Sequence, residues 1–494
     1  MPIPSELPSP GAALELQRRA LGVLTEMAPA AVELGEVFRA AGHELALVGG
    51  PVRDAFLGRA SNDLDFATSA SPDETQTLLA RWGDAHWDIG KEFGTIGAKR
   101  FSPEIVVEVT TYRTDEYDPT SRKPVVAFGD TLDGDLSRRD FTVNAMAVRV
   151  PDMTFVDPFD GLTDLARRVL RTPIAPERSF DDDPLRMMRA ARFAAQLGFS
   201  VEPGTLAAVV AMSSRIEIVS AERVQVELTK LVCGDEPRRG LEVLVDTGLA
   251  DHVLPELPAL QLEIDEHHRH KDVYQHSLTV LDQAIAQETG PDGAVPAPDL
   301  VLRLASLLHD VGKPATRRFE DGGGVSFHHH EVVGAKLVAK RLKALRYEKQ
   351  VVKDVARLVE LHLRFHGYGD GAWSDSAVRR YVTDAGPLLE RLHRLTRADS
   401  TTRNRRKAQR LRESYDDLER RIAELRAKEE LDAVRPDLDG EQIMQALGIA
   451  PGPVVGRAYR YLLERRLDRG PVAADVARED LLAWWATQPE SSSS

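Results

Sequence analysis

Strand-forming patterns end near Asp181. Upstream, HELALVGG runs as a short apolar strand into Gly49 and Gly50, and a helix is predicted over Val52 to Leu57. Asp63 to Ala67, Gly94 to Arg100, Ile105 to Tyr112 and Phe141 to Val150 are β-branched or alternating, which predicts further strands. Ala12 to Ala41 has helical spacing. Downstream, to Trp485, nearly every segment repeats its apolar residues at helical spacing, broken by turns at Gly248, Pro255, Gly290 to Pro298 and Gly322 to Gly324. The expected class is α+β: a mixed α/β head with a small β-sheet, followed by a long all-α body. At 494 residues it has room for about three domains or more. The predicted boundaries are a lead over 1–30, the head over 31–180, a helical neck over 181–260, a helical domain over 261–400 and a C-terminal helical region over 401–494. Met1 to Gly11 and Ser491 to Ser494 have the Pro- and Ser-rich make-up of disordered tails.

The net charge of −14 excludes a surface that coats nucleic acid everywhere, so any such contact must use local basic stripes. Arg403, Arg405, Arg406, Lys407 and Arg410 form one, with a solvated helix face as the equally good reading. The single cysteine, Cys233, excludes an internal disulfide framework and fits a reducing compartment; it reads as a small buried hydrophobe. The N-terminus has no basic segment leading into an apolar one, and no stretch approaches the roughly 18 apolar residues of a membrane span. The expected location is cytoplasmic.

Asp63 and Asp65 stand two apart in a predicted strand, so both side chains leave the same face and can jointly hold hard divalent cations such as Mg²⁺. Asp-x-Asp alone also arises in turns and caps. Here Gly49 and Gly50 lie between a strand and a helix start, where missing side chains admit phosphate oxygens to backbone N–H groups. Arg53, one turn on, can fork onto a phosphate. The plainer readings are a tight turn and a surface pair between Arg53 and Asp54.

Taken together, LVGGPVRDAFLGRASNDLDFAT resembles the nucleotide-binding signature of the bacterial class II tRNA nucleotidyltransferases and of their relatives the bacterial poly(A) polymerases, both with a polymerase-beta-like head. The resemblance implies that Gly50 and Arg53 touch the nucleotide and that Asp63 and Asp65 carry Mg²⁺ for in-line nucleotidyl transfer. It also makes Glu108, in VVEVTTYR, the third carboxylate, although a strand-edge charge is as good a reading. SRRDFTVNAMA is similar to the ribose-holding motif and points to Arg139, Asp140 and Asn144. A plain pair between Arg139 and Asp140 is the alternative. Asp115 to Asp135 is similar to the flexible loop with which enzymes adding all three nucleotides switch from CTP to ATP. The basic stretch of the poly(A) polymerases is replaced by GKEFGTIGAKRF.

In DDDPLRMMRAARF, Asp183, Arg186, Arg189 and Arg192 recur every three residues along one helix. Asp183 before Pro184 would cap that helix in any case. A carboxylate beside a guanidinium also matches the amine and ring acceptor of cytosine or adenine, whereas uracil and guanine place a carbonyl where the amine should be. Each wrong base leaves buried groups unpaired at roughly 1 to 3 kcal/mol. The stretch resembles the family's base-reading Glu-Asp-x-x-Arg, with Asp182 in place of the glutamate.

LASLLHDVGKP ends an apolar helix in His309 and Asp310, with His276, His330, His362 and Asp399 elsewhere in the helical body. One such histidine means little; several at helical spacings ending in an aspartate suggest a metal site. Their order resembles the HD phosphohydrolases. That resemblance implies His276, His309, Asp310 and Asp399 as ligands of a divalent metal of unspecified identity, with His330 and His362 secondary. The whole chain is then expected to add CCA to the 3′ end of tRNA from CTP and ATP. Poly(A) synthesis, or an HD phosphohydrolase with a nucleotide-sensing head, are the alternatives.

Overall fold

The computed structural model describes residues 20, 29–59, 63–102, 104–116, 125–129, 131–261, 273–320, 324–368, 373–400, 405–429 and 434–490. They form two compact units, Met1–Pro258 and Ala259–Ser494. The α+β class expected from the sequence is the one observed.

Among the described residues the first unit holds nine strands before the helix Gly161–Arg167: β1 Leu45–Val48, β2 Asp63–Thr68, β3 Ala85–Trp87, β4 Thr95–Phe101, β5 Glu104–Thr111, β6 Arg113–Glu116, β7 Val125–Phe128, β8 Ala147–Val150 and β9 Thr154–Val156. Seven of them make one sheet in the order β3-β4-β5-β2-β1-β8-β9. The central pair β2 and β5 is parallel, with Asp63 opposite Val106 and Asp65 opposite Glu108. Strand alternation divides the residues by face: Leu64, Phe66, Val107, Val109, Ile96 and Ala98 are buried in the core, while Asp63, Asp65 and Glu108 are exposed. The helix Pro72–Trp82 covers the core face, fixed at its start by a capping box between Ser71 and Glu74.

Four expectations change. The segment from Phe141 is not strand until Ala147, because Thr142–Asn144 turns as a 3₁₀ helix. That turn is held by the Asp140 carboxylate, which accepts from Phe141 N (2.8 Å) and Asn144 Nδ2 (2.9 Å). Strands also continue past Asp181, in short pieces at Ser200–Val201, Arg318–Phe319 and Val325–Ser326. The stretch read as a flexible loop over Asp115 to Asp135 is in part regular: β6 pairs with β7, and a helix begins at Leu132. Residues 117–124 and 130 of it lie outside the described set. Cys233 is half-buried at a helix end rather than in the core.

The remainder of this unit is the helices Pro176–Asp182, Leu185–Leu197, Pro203–Met212, Ala221–Val232, Pro237–Asp246 and Leu249–Val253. Gly240 lets the fifth of these approach the second closely, since a Cβ there would lie 2.5 Å from Ala191 O.

The second unit is helical, with Val273–Ile285, Leu300–Leu308, His330–Ala344, Lys349–Leu361, Asp375–Ala385 and Leu389–Asp399 forming its first part. The long helix Arg405–Lys428 follows, exposing Arg406, Lys407 and Arg410, and a small bundle with its own core around Ile443, Leu462 and Leu481 ends the chain. Arg403 and both predicted tails lie outside the described residues. No described helix is long and apolar enough to cross a membrane.

Candidate functional sites

In the first unit the register of β2 against β5 brings Asp65 and Glu108 side by side on the exposed face, with Asp63 two residues along. Partial burial of the Asp65 carboxyl among its neighbours raises its pKa above the ordinary value. Arg139 opposes that rise and the neighbouring Glu108 and Asp63 add to it. Three acidic groups drawn this close are mutually repulsive, which favours a cation between them.

Gly49 ends β1 with φ +74°, a conformation glycine adopts without strain, and its missing side chain leaves room for a guanidinium: a Cβ there would lie 2.9 Å from Arg139 Nη1. Arg139 is held by Asp135, whose Oδ2 accepts from Arg139 Nη2 (3.1 Å) while Oδ1 accepts from Arg138 Nη2 (2.7 Å). The expected alternative, a pair between Arg139 and Asp140, is therefore replaced by one with Asp135. Gly50 opens the helix Gly50–Phe56.

Arg53 is buried rather than projecting. Its guanidinium bonds both oxygens of Asp54 (2.9 and 3.0 Å) and donates to Asn144 Oδ1 (2.7 Å). Asn144 in turn donates to Asp140, and Asp140 Oδ2 accepts from Arg189 Nε (2.6 Å). Arg189 and Arg192 both approach Glu227, at 3.7 and 2.6 Å. The ribose motif and the helix behind it are thus one charged network, running from Asp54 to Arg192. Burial alone would raise the Asp140 pKa; Arg189, the Asn144 amide and the Phe141 N–H overcome it and hold the group down at about 2.

Of the expected base-reading pair, Asp183 lies between two helices in extended backbone, accepting from Leu185 N (3.1 Å) and from Arg223 Nη2 (2.9 Å). Arg186 faces inward and donates to Ser179 O, Ser179 Oγ and Arg138 O. In this conformation the guanidinium beside Asp183 belongs to Arg223, which is half exposed. Sequence reasoning missed Asp135, Arg223 and Glu227. Asp135 stands three and four residues before Arg138 and Arg139, the spacing at which helical ions pair, and was legible.

In the second unit, His309 caps the end of Leu300–Leu308 and His330 begins His330–Ala344. Gly312 lets these two ends meet, since a Cβ there would lie 2.0 Å from His330 O. The ligand atoms of His276, His309 and Asp310 lie within 4.8 Å of one another, as do those of Asp310, His330 and His362. Asp399 joins them, 2.9 Å from His276 Nε2 and 3.5 Å from His309 Nε2. Three of the imidazoles are tethered alike. Nδ1 of His309, His330 and His362 each meets the carbonyl oxygen three residues earlier, at 2.9, 2.8 and 2.7 Å. That contact makes Nδ1 the donor, so in the neutral ring each Nε2 carries the lone pair, and all three Nε2 atoms are buried with no hydrogen-bond partner. Orphaned acceptors converging beside the buried Asp310 and the half-buried Asp399 fit a divalent metal. Asp310 is common to both groups, so His330 and His362, expected as secondary, lie against the same carboxylate as His276 and His309. Burial would lower the His309 pKa, but without a metal Asp310 and Asp399 hold it up at about 10, so its Nε2 keeps a proton that a bound cation must displace, whereas burial and the nearby His309 push His362 down to about 3.

The comparisons with known proteins cover both units. Residues 45–171 match the model of the poly A polymerase head domain, 198–260 that of the probable RNA and SrmB-binding site of polymerase A, and 273–404 the HD domain. The head-domain match and the relatives that carry it define a nucleotidyltransferase. The chain belongs to the bacterial class II tRNA nucleotidyltransferase family. It is 36% identical over 455 residues to an A-adding tRNA nucleotidyltransferase of Deinococcus radiodurans, covering 90% of this chain and 96% of that one. It is 42% identical to a CCA-adding enzyme of Streptococcus suis over 236 residues, 48% of this chain and 57% of the relative. The match thus spans little more than half the length of that CCA-adding relative. In fold it is similar to the Bacillus stearothermophilus CCA-adding enzyme in complex with CTP, with a TM-score of 0.64 and 24% identity over 93% of this chain and 98% of the other.

Proposed function

We propose that this chain adds CCA to the 3′ end of tRNA, using CTP and ATP without a template. The observation that carries the reading is the row of Asp63, Asp65 and Glu108 on the open face of β2 and β5, flanked by Arg139 over Gly49. Mg²⁺ bound by these carboxylates would activate the attacking hydroxyl and neutralise the departing pyrophosphate. Arg139 faces the phosphates, the Asp140–Asn144 pair presents its remaining polar edges to the ribose, and Asp183 accepts from the exocyclic amine of cytosine or adenine. Gly50, Arg53, Arg186, Arg189 and Arg192 are assigned to shaping and charging the nucleotide pocket. Such an enzyme works in the cytoplasm, with tRNA as its partner.

A second reading, addition of the final A alone, is favoured by one observation: the relative matched along 96% of its length is A-adding. The test is incubation of the protein with Mg²⁺ and two tRNAs, one lacking all three terminal nucleotides and one lacking only the last. Two C additions that wait for ATP, then one A, are expected on the first. Extension of the second tRNA only would replace the CCA reading by A addition, and a long A tail would replace it by poly(A) synthesis.

For the second unit we propose a divalent metal held by His276, His309, Asp310, Asp399, His330 and His362, serving a phosphohydrolase reaction. Metal-stripped protein given Mn²⁺ or Zn²⁺ at about 100 times its dissociation constant is expected to gain roughly 2.7 kcal/mol of stability. The gain should vanish in His309→Ala with Asp310→Ala. Equal metal content and melting shift in that variant and the wild type would remove the assignment.

A further inference from the structure

From Asp65 a single line of cross-strand partners runs outward: Asp65 opposite Glu108, Glu108 opposite Gly97, Gly97 opposite Trp87 on the edge strand β3. All four lie on the exposed face, because Leu64, Val107, Ile96 and Ala98 beside them point into the core. Gly97 has a particular consequence. A Cβ there would lie 2.0 Å from Trp87 Cε2 and 2.2 Å from Nε1, so the half-buried indole lies flat over the glycine. With strands about 4.8 Å apart, this ring borders Glu108 and stands roughly 10 Å from the backbone of Asp65. Lys99, on the same face of β4 and 5.4 Å from the Phe101 ring, places a cation beside it, paired at 2.6 Å with Glu104.

The direction of the reaction says what uses this ring. The groups assigned to the incoming nucleotide are Gly49 and Gly50, which follow β1, and Arg139, which lies over Gly49, on one side of the carboxylates. In an in-line transfer the attacking oxygen and the leaving pyrophosphate lie on opposite sides of the phosphorus. The 3′-hydroxyl of the RNA therefore arrives from the β5, β4 and β3 side, where the indole is. We infer that Trp87, seated over Gly97, is the stacking platform for the 3′-terminal base of the acceptor RNA. Every base has a π-face, so one tryptophan serves successive 3′ ends as the tail grows, and Lys99 meets the backbone phosphate. The inference rests on the proposed nucleotidyl transfer.

The test compares wild type, Trp87→Leu and Trp87→Phe on a tRNA lacking its last three nucleotides, and on the same RNA with an abasic 3′-terminal nucleotide. Leu keeps apolar bulk without a π-face; Phe keeps the π-face. Trp87→Leu is expected to raise the KM for RNA about tenfold or more while leaving the KM for CTP unchanged, with Trp87→Phe restoring most of the loss. The abasic end should weaken wild type by a similar factor and leave Trp87→Leu where it was. Equal KM for RNA in wild type and Trp87→Leu, or an abasic penalty of the same size in both, overturns the platform while the transferase reading stands. A wild-type protein that extends no RNA overturns both together.

Discussion

Asp63→Ala with Asp65→Ala should abolish nucleotide addition while the protein stays folded and its HD-type metal site keeps its ion. Metal-borne charge stabilisation is worth several kcal/mol of barrier, and each 1.36 kcal/mol is a factor of ten, so the loss should be about 10³-fold or more. Both side chains are exposed and neither supports the core, whose contacts on β2 come from Leu64 and Phe66. The variant should therefore unfold within about 0.5 kcal/mol of wild type. Relief of repulsion among Asp63, Asp65 and Glu108 would shift it, if at all, toward greater stability. Single-turnover extension of truncated tRNA at saturating CTP is the measurement. Persistent addition by the folded double variant would remove the carboxylates from the chemistry.

What the sequence made legible follows the range of the interactions involved. Asp63 and Asp65 needed only the two-residue period of a strand, and Gly49 only its place between strand and helix. Glu108 was as readable as a strand-edge charge, because the parallel pairing that sets it beside Asp65 joins strands separated by a helix and two further strands. The arginine helix shows the same limit from the other side. Its spacing fixed which residues share a face, but not that the network partner of Arg189 and Arg192 would be Glu227, or that Arg223 would reach Asp183. Those contacts come from a helix packed against it, the one over Ala221–Val232, whose charged residues belong to no motif that the sequence displays. In the second unit the histidines were each visible, but not that the ligand atoms of His330 and His362 would lie within 4.8 Å of Asp310. The local carbonyl contact that aims each Nε2 inward is a feature of helix ends, and sequence spacing does not reveal it. The error at Phe141 to Met146 was again local: a β-rich composition gave way to a turn that Asp140 and Asn144 tie with their side chains.

Asp135 gives the second large effect, this time on stability as well as function. Its carboxylate is 1% exposed and is shared by Arg138 and Arg139, which keep 19% and 22% of their side-chain exposure. Burial by itself would raise its pKa; Arg139 and Arg138 outweigh that and hold it below the ordinary value. Asp135→Ala removes the carboxylate and leaves two guanidiniums partly buried against each other. Breaking a buried pair from one side costs about 3 to 5 kcal/mol, and the remaining solvent access of the arginines places this case near 3. At 2 to 4 °C per kcal/mol for a unit of this size, the melting transition should fall by about 6 to 12 °C. Because the folded-state pKa is depressed, the stabilisation is fully present above the unfolded carboxylate value of about 3.9 and is lost as pH falls through the folded one. The gap between wild type and Asp135→Ala should therefore be constant from neutral pH to about pH 5 and close in more acidic solution. Function should fall further than stability alone explains, since Arg139 loses the group that holds it over Gly49, and the loss should appear at temperatures where the variant is fully folded. Asp135→Glu, which keeps the charge on a longer arm, should recover stability better than it recovers nucleotide addition. Thermal melting across pH, paired with extension assays well below the transition, measures both. An Asp135→Ala protein that melts with wild type would show that the two arginines are satisfied without it.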